Sequence, residues 1–168
     1  ARQLGEAADV LQTMVSDPEC HVVLTLSGAM TVAKMGLVAC EMIDRGMVQA
    51  VVSTGALMCH GLVEASGLTH FKHHPAMDDR ALFERGYDRV YDTLELERNL
   101  DHVAKTLEAV LRQWPEDRTL CSHLICRELG RHLALAHPGQ RGVLKSAFER
   151  NVPVYVPAWT DSEMGLDV

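Results

Sequence analysis

The stretch "HVVLTLSGAMTVAKMGLVACEMIDRGMVQAVVST", residues 21–54, decides the fold class. It begins with a continuous apolar run at 21–27 and ends with a second run at 48–54. Both runs are typical of strands that are buried on both faces. Residues 30–45 between them are apolar almost all round, which predicts a buried helix, and Gly46 is placed to close that helix as a C-terminal cap. Strand, helix and strand in so short a span predict a βαβ unit with parallel strands.

The flanking sequence continues the alternation of strands and helices. The predicted elements are a helix at 2–16, a short helix at 57–66 closed by Gly67, an irregular segment at 68–79, a helical turn at 79–86, a weak strand at 88–93, a strongly amphipathic helix at 96–114, helices near 119–133 and 141–150, and a last strand at 152–157. We therefore expect one α/β domain over residues 1–168, with a parallel sheet covered by helices on both faces.

Composition narrows the class of protein. The chain has 168 residues, 47% of them hydrophobic, and a net charge of −7. That charge disfavours nucleic-acid binding and suits cationic partners such as amines, although most acidic proteins are acidic only for solubility. Residues 1–17 predict an amphipathic helix rather than a secretory signal, and no apolar run is long enough to span a membrane. Five cysteines without a Cys-x-x-Cys pair indicate buried, reduced thiols in a cytoplasmic protein.

Three predicted strand ends carry small polar residues and glycines. They are Ser27–Gly28–Ala29, Ser53–Thr54–Gly55–Ala56 and Ala158–Trp159–Thr160–Asp161. In parallel sheets, ligands bind beyond the carboxyl ends of the strands, and the N–H groups of the following helix can hold an anion such as a pyrophosphate. A lone Gly-Ala turn is weak evidence and the full Gly-x-Gly-x-x-Gly fingerprint is missing, so ordinary tight turns are the favoured interpretation at this point.

The histidines offer a metal interpretation that the spacing does not support. His60, His70, His73 and His74 lie near Cys59, but neither a Cys-x-x-Cys pair nor a His-Glu-x-x-His helix is present. We expect a solvated loop with a few histidines and no metal site. A serine hydrolase is also unsupported, because no Gly-x-Ser-x-Gly elbow occurs.

Four segments in order resemble the deoxyhypusine synthase family, including its bacterial homospermidine-synthase-like members. They are "ARQLGEAADVLQTMVSDPECHVVLTLSGAM" (1–30), "EMIDRGMVQAVVSTGALMCHGLVEASGLTHF" (41–71), "ERGYDRVYDTLELE" (84–97) and "FERNVPVYVPAWTDSEMGLDV" (148–168). The last is the most specific, since it resembles the family's N-x-I-P-V-x-x-P-A-x-T-D pattern.

The resemblance implies a Rossmann-like NAD-binding domain, a homotetramer with active sites between subunits, and NAD-dependent chemistry on spermidine. It further implies transfer of an aminobutyl group, through an enzyme lysine, either to a lysine of a translation factor or to putrescine. A polycationic substrate would suit an acidic cleft.

The same resemblance assigns candidate residues. Those implied at NAD are Ser27, Gly28, Ala29, Thr54, Gly55, Ala56, Thr160 and Asp161, with Asp161 on a ribose hydroxyl. His60 is implied beside the substrate amine and is the one catalytic candidate, and Glu163 and Asp167 are candidate partners of the amine. For each of these, a surface acid or a turn residue is the alternative.

Three departures from the family pattern qualify these assignments. Gly61 stands where the family's His-Asp pair has its aspartate, and the acid at Asp167 is shifted by one position. The family's catalytic lysine lies in a Trp-Gly-Lys context that none of the four lysines here has. We therefore expect about the N-terminal half of the family domain, incomplete as a sheet and in need of an assembly partner. The alternative function is an inactive, regulatory subunit that binds NAD or a polyamine.

Overall fold

The computed structural model describes residues 2–166. The helices are α1 (Arg2–Ser16), α2 (Gly36–Asp44), α3 (Gly55–Ala65), α4 (Asp79–Phe83), α5 (Glu97–Leu111), α6 (Ser122–Ala136), α7 (Val143–Glu149) and α8 (Glu163–Leu166). The strands are β1 (Val23–Thr25), β2 (Ala50–Val52), β3 (Phe71–Lys72), β4 (Tyr87–Val90), β5 (Thr93–Leu96) and β6 (Val154–Tyr155).

The predicted parallel sheet is confirmed. Its order is β1-β2-β6, with Val23 opposite Ala50 and Val51 opposite Val154. Successive residues of a strand face opposite sides of the sheet. Ala50 and Val51 are both buried, so helices cover both faces of the central strand, as the continuous apolar run predicted.

The helix predicted at 30–45 is shorter than expected. Residues 29–34 form turns, and α2 begins only at Gly36. Lys34 has a φ of 64°, a left-handed conformation that interrupts a right-handed helix. A contact with α3 stabilises these turns, because the Thr31 hydroxyl donates a hydrogen bond to the Leu57 carbonyl at 2.9 Å.

Gly46 closes α2 as predicted. Its φ is 71°, its N–H donates to the Ile43 carbonyl, and the Met47 N–H donates to the Met42 carbonyl. This hydrogen-bond pattern is a Schellman motif, which satisfies carbonyls that the helix end leaves open.

A second, antiparallel sheet was only partly predicted. Its order is β3-β5-β4, where the sequence predicted one weak strand at 88–93 and a helix from residue 96. Tyr91 makes the hairpin turn with a φ of 58°. Such turns normally use Asn-Gly or Asp-Gly, so the tyrosine gives no turn signal.

The core lies where α3, α5, α6 and α7 pack around the parallel sheet. Met164 of α8 is also fully buried there, although its segment was predicted as a polar loop. By contrast, α1 buries none of its residues. None of the helices within residues 2–166 combines the length and the apolarity that crossing a membrane requires.

Candidate functional site

A cleft of about 320 Å³ opens at the carboxyl ends of the three parallel strands. The strand ends that the sequence singled out therefore meet at one edge of the sheet. The lining residues are Thr25, Leu26, Ser27, Val52, Ser53, Thr54, Pro157 and Ala158. Four of the eight are serines or threonines, the other four are apolar, and Leu26 is the largest side chain in the lining.

Thr54 joins two sides of the cleft. Its hydroxyl donates to the Gly28 carbonyl at 2.9 Å and accepts from the Leu57 N–H at 3.2 Å. The second contact makes Thr54 the N-cap of α3. Gly28 has a φ of 57°, and a Cβ at that position would meet nothing within 4 Å, so open space lies over this turn.

Asp161 occupies the N-terminus of α3. Its Oδ1 accepts from the Gly55 N–H at 3.0 Å, and a Cβ on Gly55 would lie 2.8 Å from that oxygen and 2.4 Å from the Ser162 Oγ. The expectation that this helix end offers free N–H groups to an anion is therefore wrong for Gly55. The physical reason is that a carboxylate from the same chain is attracted to the positive end of the helix dipole.

Ser53 was missed as a site residue. It lines the cleft, it is 6% exposed, and its Oγ has no hydrogen-bond partner within residues 2–166. Buried hydroxyls are normally paired, so an unpaired one that borders a cleft suggests a ligand partner. The sequence signal was available, because Ser53 directly precedes the Thr54–Gly55 turn.

A second cluster links α3 to the antiparallel sheet through buried side chains. His60 Nδ1 lies 2.6 Å from Glu95 Oε2, and His70 Nε2 lies 3.2 Å from the other oxygen of Glu95. His70 Nδ1 lies 3.0 Å from Glu64, which also pairs with Lys34. The side chains of His70 and Glu95 are 0% and 2% exposed. We call the five residues Lys34, Glu64, His70, Glu95 and His60 the charge chain.

The charge chain sets the ionisation of its buried members. Burial opposes the charge of His70, but the hydrogen bond to Glu64 and the nearby carboxylate of Glu95 outweigh it and raise the pKa of His70 to about 9. Burial likewise opposes the charge of Glu95, but the hydrogen bond with His60 and the nearby His70 outweigh it and lower the pKa of Glu95 to about 2. The hydrogen bond from His70 also lowers the pKa of Glu64. At neutral pH, Glu64, His70 and Glu95 therefore carry charges of alternating sign.

His60, His70 and Glu95 could also hold a metal ion. One donor atom from each lies within 4.8 Å of the others. Two histidines and one carboxylate make a donor set that suits Zn²⁺ or Fe²⁺. The expectation that the histidines lie in a solvated loop is wrong for His70, which is buried, while His74 is exposed as expected. The sequence analysis also missed Glu95, whose signal is a glutamate between two leucines of a strand.

The comparisons with known proteins point to one family, and the match extends over the whole chain. The sequence profile of the deoxyhypusine synthase family matches residues 1–168. The chain belongs to the deoxyhypusine synthase family. The resemblance seen in the sequence is thereby confirmed.

Curated relatives of this family share about a third of their residues with the chain. The deoxyhypusine synthase-like protein of Chlorobaculum parvum is 32% identical over 167 residues, which cover 99% of this chain and 47% of that protein. The deoxyhypusine synthase-like protein of Elusimicrobium minutum is 32% identical over 169 residues, with 99% and 44% covered. The chain thus spans about half the length of the curated relatives it matches.

A solved structure supports the fold. A crystal structure of an Entamoeba histolytica protein assigned as a deoxyhypusine synthase superposes with a TM-score of 0.68 at 12% identity. It covers 98% of this chain and 55% of the other chain. At that identity the likeness concerns the fold alone.

The remaining residues that the family resemblance singled out are not part of the charge chain. Thr160 and Glu163 are exposed, and Asp167 lies outside the described residues. Gly165 has a structural role, since a Cβ there would lie 2.2 Å from the Trp159 carbonyl.

Two of the lysines are engaged in the fold of this family member. Lys145 is 8% exposed and donates to the carbonyls of His137, Pro138 and Gln140 at 2.6–3.2 Å. It thereby holds the segment after α6 in place. Lys34 pairs with Glu64, whereas Lys72 and Lys105 are exposed.

Proposed function

We propose that this chain forms the NAD-binding part of an enzyme that transfers the aminobutyl group of spermidine to an acceptor amine. The acceptor is a lysine of a translation factor or putrescine. The supports are membership of the deoxyhypusine synthase family and the cleft at the ends of β1, β2 and β6. The proposal concerns the part of the site that these residues build. The assembly would be a cytoplasmic homotetramer, or a complex with the remaining part of the family domain.

The single observation that carries the cofactor proposal is the cleft at the strand ends, which Ser53 lines and beside which its buried hydroxyl has no partner within residues 2–166. Together with the open space over Gly28, it fits a ligand that lies across Ser27–Gly28 and Ser53–Thr54. The pyrophosphate would not sit directly on the Gly55 N–H, because Asp161 holds it. The exposed carboxylate of Asp161 borders this position and suits a ribose hydroxyl.

When bound, NAD would supply an acceptor for a hydride from the polyamine and a donor that returns it. The residues of this chain would bind and orient. The turns at Ser27–Gly28 and Ser53–Thr54 would hold the cofactor, and His60 would contact a substrate amine. Lys145 is an unsuitable carrier of the aminobutyl group, because three carbonyls hold its ammonium.

The test measures NAD binding by calorimetry and NADH formation by absorbance after spermidine is added. Asp161→Ala removes both the hydrogen bond to the Gly55 N–H and the carboxylate, so we expect NAD affinity to fall about tenfold or more, as for loss of a hydrogen bond to a charged group. Asp161→Asn keeps an oxygen that can accept from Gly55 and is the matched control for that hydrogen bond. Unchanged affinity in Asp161→Ala would refute the cofactor assignment.

The alternative function is a regulatory subunit that binds NAD or a polyamine without turnover. NAD binding without any NADH formation would support it. Absence of both NAD binding and spermidine binding would refute both functions.

A further inference from the structure

The charge chain carries an inference about how the amine is recognised. It rests on the proposed function, in which His60 contacts the amine. Glu95 belongs to β5 of the antiparallel sheet, far in sequence from the strand ends that build the cleft, and no family pattern in the sequence pointed to it. Its carboxylate is nevertheless 2.6 Å from the imidazole of His60.

One ring nitrogen of His60 contacts Glu95, and the other has no hydrogen-bond partner in the described chain. Nδ1 faces Glu95, while Nε2 is neither buried nor hydrogen-bonded in the part of the chain that the structure describes. The side chain as a whole is 17% exposed. A carboxylate that accepts from Nδ1–H fixes the neutral imidazole in one tautomer, in which the lone pair is on Nε2.

Glu95 can hold this position because its own charge is balanced. A buried carboxylate without partners would carry a large desolvation cost. Here His70 Nε2, from the segment before β3, lies 3.2 Å from the Glu95 carboxylate as an ion-pair partner, Glu64 of α3 balances His70, and Lys34 balances Glu64.

The geometry points to Glu95 as the residue that positions His60, so that Nε2 presents a hydrogen-bond acceptor to an ammonium group of the substrate. A protonated primary or secondary amine has the N–H donors that this nitrogen accepts. His70, Glu64 and Lys34 position Glu95 in turn. None of these four residues needs to touch the substrate.

The first test reads the tautomer of His60 directly, by two-bond ¹H–¹⁵N correlation in protein labelled at histidine. We expect the wild type to carry the proton of His60 on Nδ1, and Glu95→Gln to shift it toward Nε2. Glu84→Gln is the matched control, because Glu84 is an exposed glutamate that pairs with Arg80 and lies outside the charge chain. A proton on Nε2 in the wild type, or an unchanged tautomer in Glu95→Gln, would overturn the inference.

The second test measures spermidine and NAD affinities separately. Glu95→Gln is expected to weaken spermidine binding about tenfold or more, with NAD affinity unchanged. His60→Asn, at a partly exposed position, should give the same loss and covers the case in which Glu95→Gln does not fold. Spermidine affinity that is unchanged in both variants would overturn the inference.

The two tests also separate this inference from the proposed function. A wild type that binds neither NAD nor spermidine refutes the function and the amine role together, while the tautomer still reports on Glu95. Spermidine binding with the wrong tautomer refutes only the role of Glu95. One equivalent of zinc in the purified wild type, lost in His60→Asn, would replace the inference with a metal centre.

Discussion

At the scale of single residues, the protein buries charge in two different ways. Lys145 gives its ammonium to three backbone carbonyls and so satisfies the end of a helical segment. His70 instead lies between two carboxylates, Glu64 and Glu95. The partners of Lys145 are neutral carbonyls, and its role is structural. The second arrangement keeps neighbouring groups ionised, and groups held in a chosen ionisation state are common at functional sites.

The raised pKa of His70 makes stability depend on pH. A folded-state pKa of about 9 against an ordinary value of 6.5 means that protonated His70 stabilises the fold fully below 6.5. This contribution is lost as the pH rises to about 9, so the free energy of unfolding should fall by up to about 1.4 kcal/mol per pH unit in this window. Urea denaturation across pH 6–9.5 measures the slope.

His70→Gln is the control for this prediction, because it cannot titrate and should remove the part of the slope that His70 causes. Glu95 acts in the opposite direction. Its pKa is lowered to about 2, so its contribution is present above the ordinary value of 4.5 and is lost as the pH falls toward 2. Equal slopes for the wild type and His70→Gln between pH 6.5 and 9 would contradict the assignment.

At the scale of elements, the sequence predicted what depends on local patterns. The apolar runs at 21–27 and 48–54 predicted parallel strands, and Gly46 predicted the end of α2. The hairpin of β4 and β5 was missed because its turn uses Tyr91 in a conformation that usually favours glycine or asparagine. The start of α2 was misplaced because its position depends on a contact between Thr31 and α3.

The candidate site also has features that local sequence patterns predict and features that they do not. The strand ends were predictable, because the carboxyl ends of parallel strands share one edge. The contact of Asp161 with Gly55 joins residues 106 positions apart, and that of His60 with Glu95 joins α3 to the antiparallel sheet. No local pattern encodes such pairs, so neither the occupied end of α3 nor the charge chain could be predicted.

The packing of α6 against α7 gives a prediction about Gly130. A Cβ there would lie 2.2 Å from the Leu144 carbonyl and 2.8 Å from the Phe148 Cβ, so the two helices approach over this glycine. Gly130→Ala gains about 1 kcal/mol in helix propensity, but overpacking costs about 1–3 kcal/mol. Because rigid backbone opposes the added methyl group, we expect a net loss of stability in chemical denaturation.

Gly5→Ala is the matched control for Gly130→Ala. Gly5 also lies inside a helix, α1, but a Cβ there meets nothing within 4 Å. The same substitution should therefore stabilise α1, by about 0.5–1 kcal/mol. If Gly130→Ala were as stable as the wild type, the close approach of α6 and α7 would be wrong.

At the scale of the whole molecule, the described chain leaves apolar surface uncovered. α1 buries no residue, with Leu4 77% and Leu11 43% exposed. Val23 of β1 and Tyr155 of β6, the two outer strands of the parallel sheet, are also exposed. An exposed apolar face and open sheet edges are features of surfaces that bind another chain. They agree with the proposed homotetramer.

The proposed assembly predicts that α1 binds a second copy of the chain. Leu4 and Leu11 are seven residues apart and share one face of α1. Leu4→Glu with Leu11→Glu places two charges on that face, and analytical ultracentrifugation should show the wild-type oligomer dissociate to monomers. Thr13→Glu with Ser16→Glu adds the same charge on the side of α1 away from the two leucines, where both residues are exposed, and should leave the oligomer intact. A monomeric wild type would contradict α1 as the contact. Equal dissociation of both variants would also contradict it, because the added charge alone would then explain the effect.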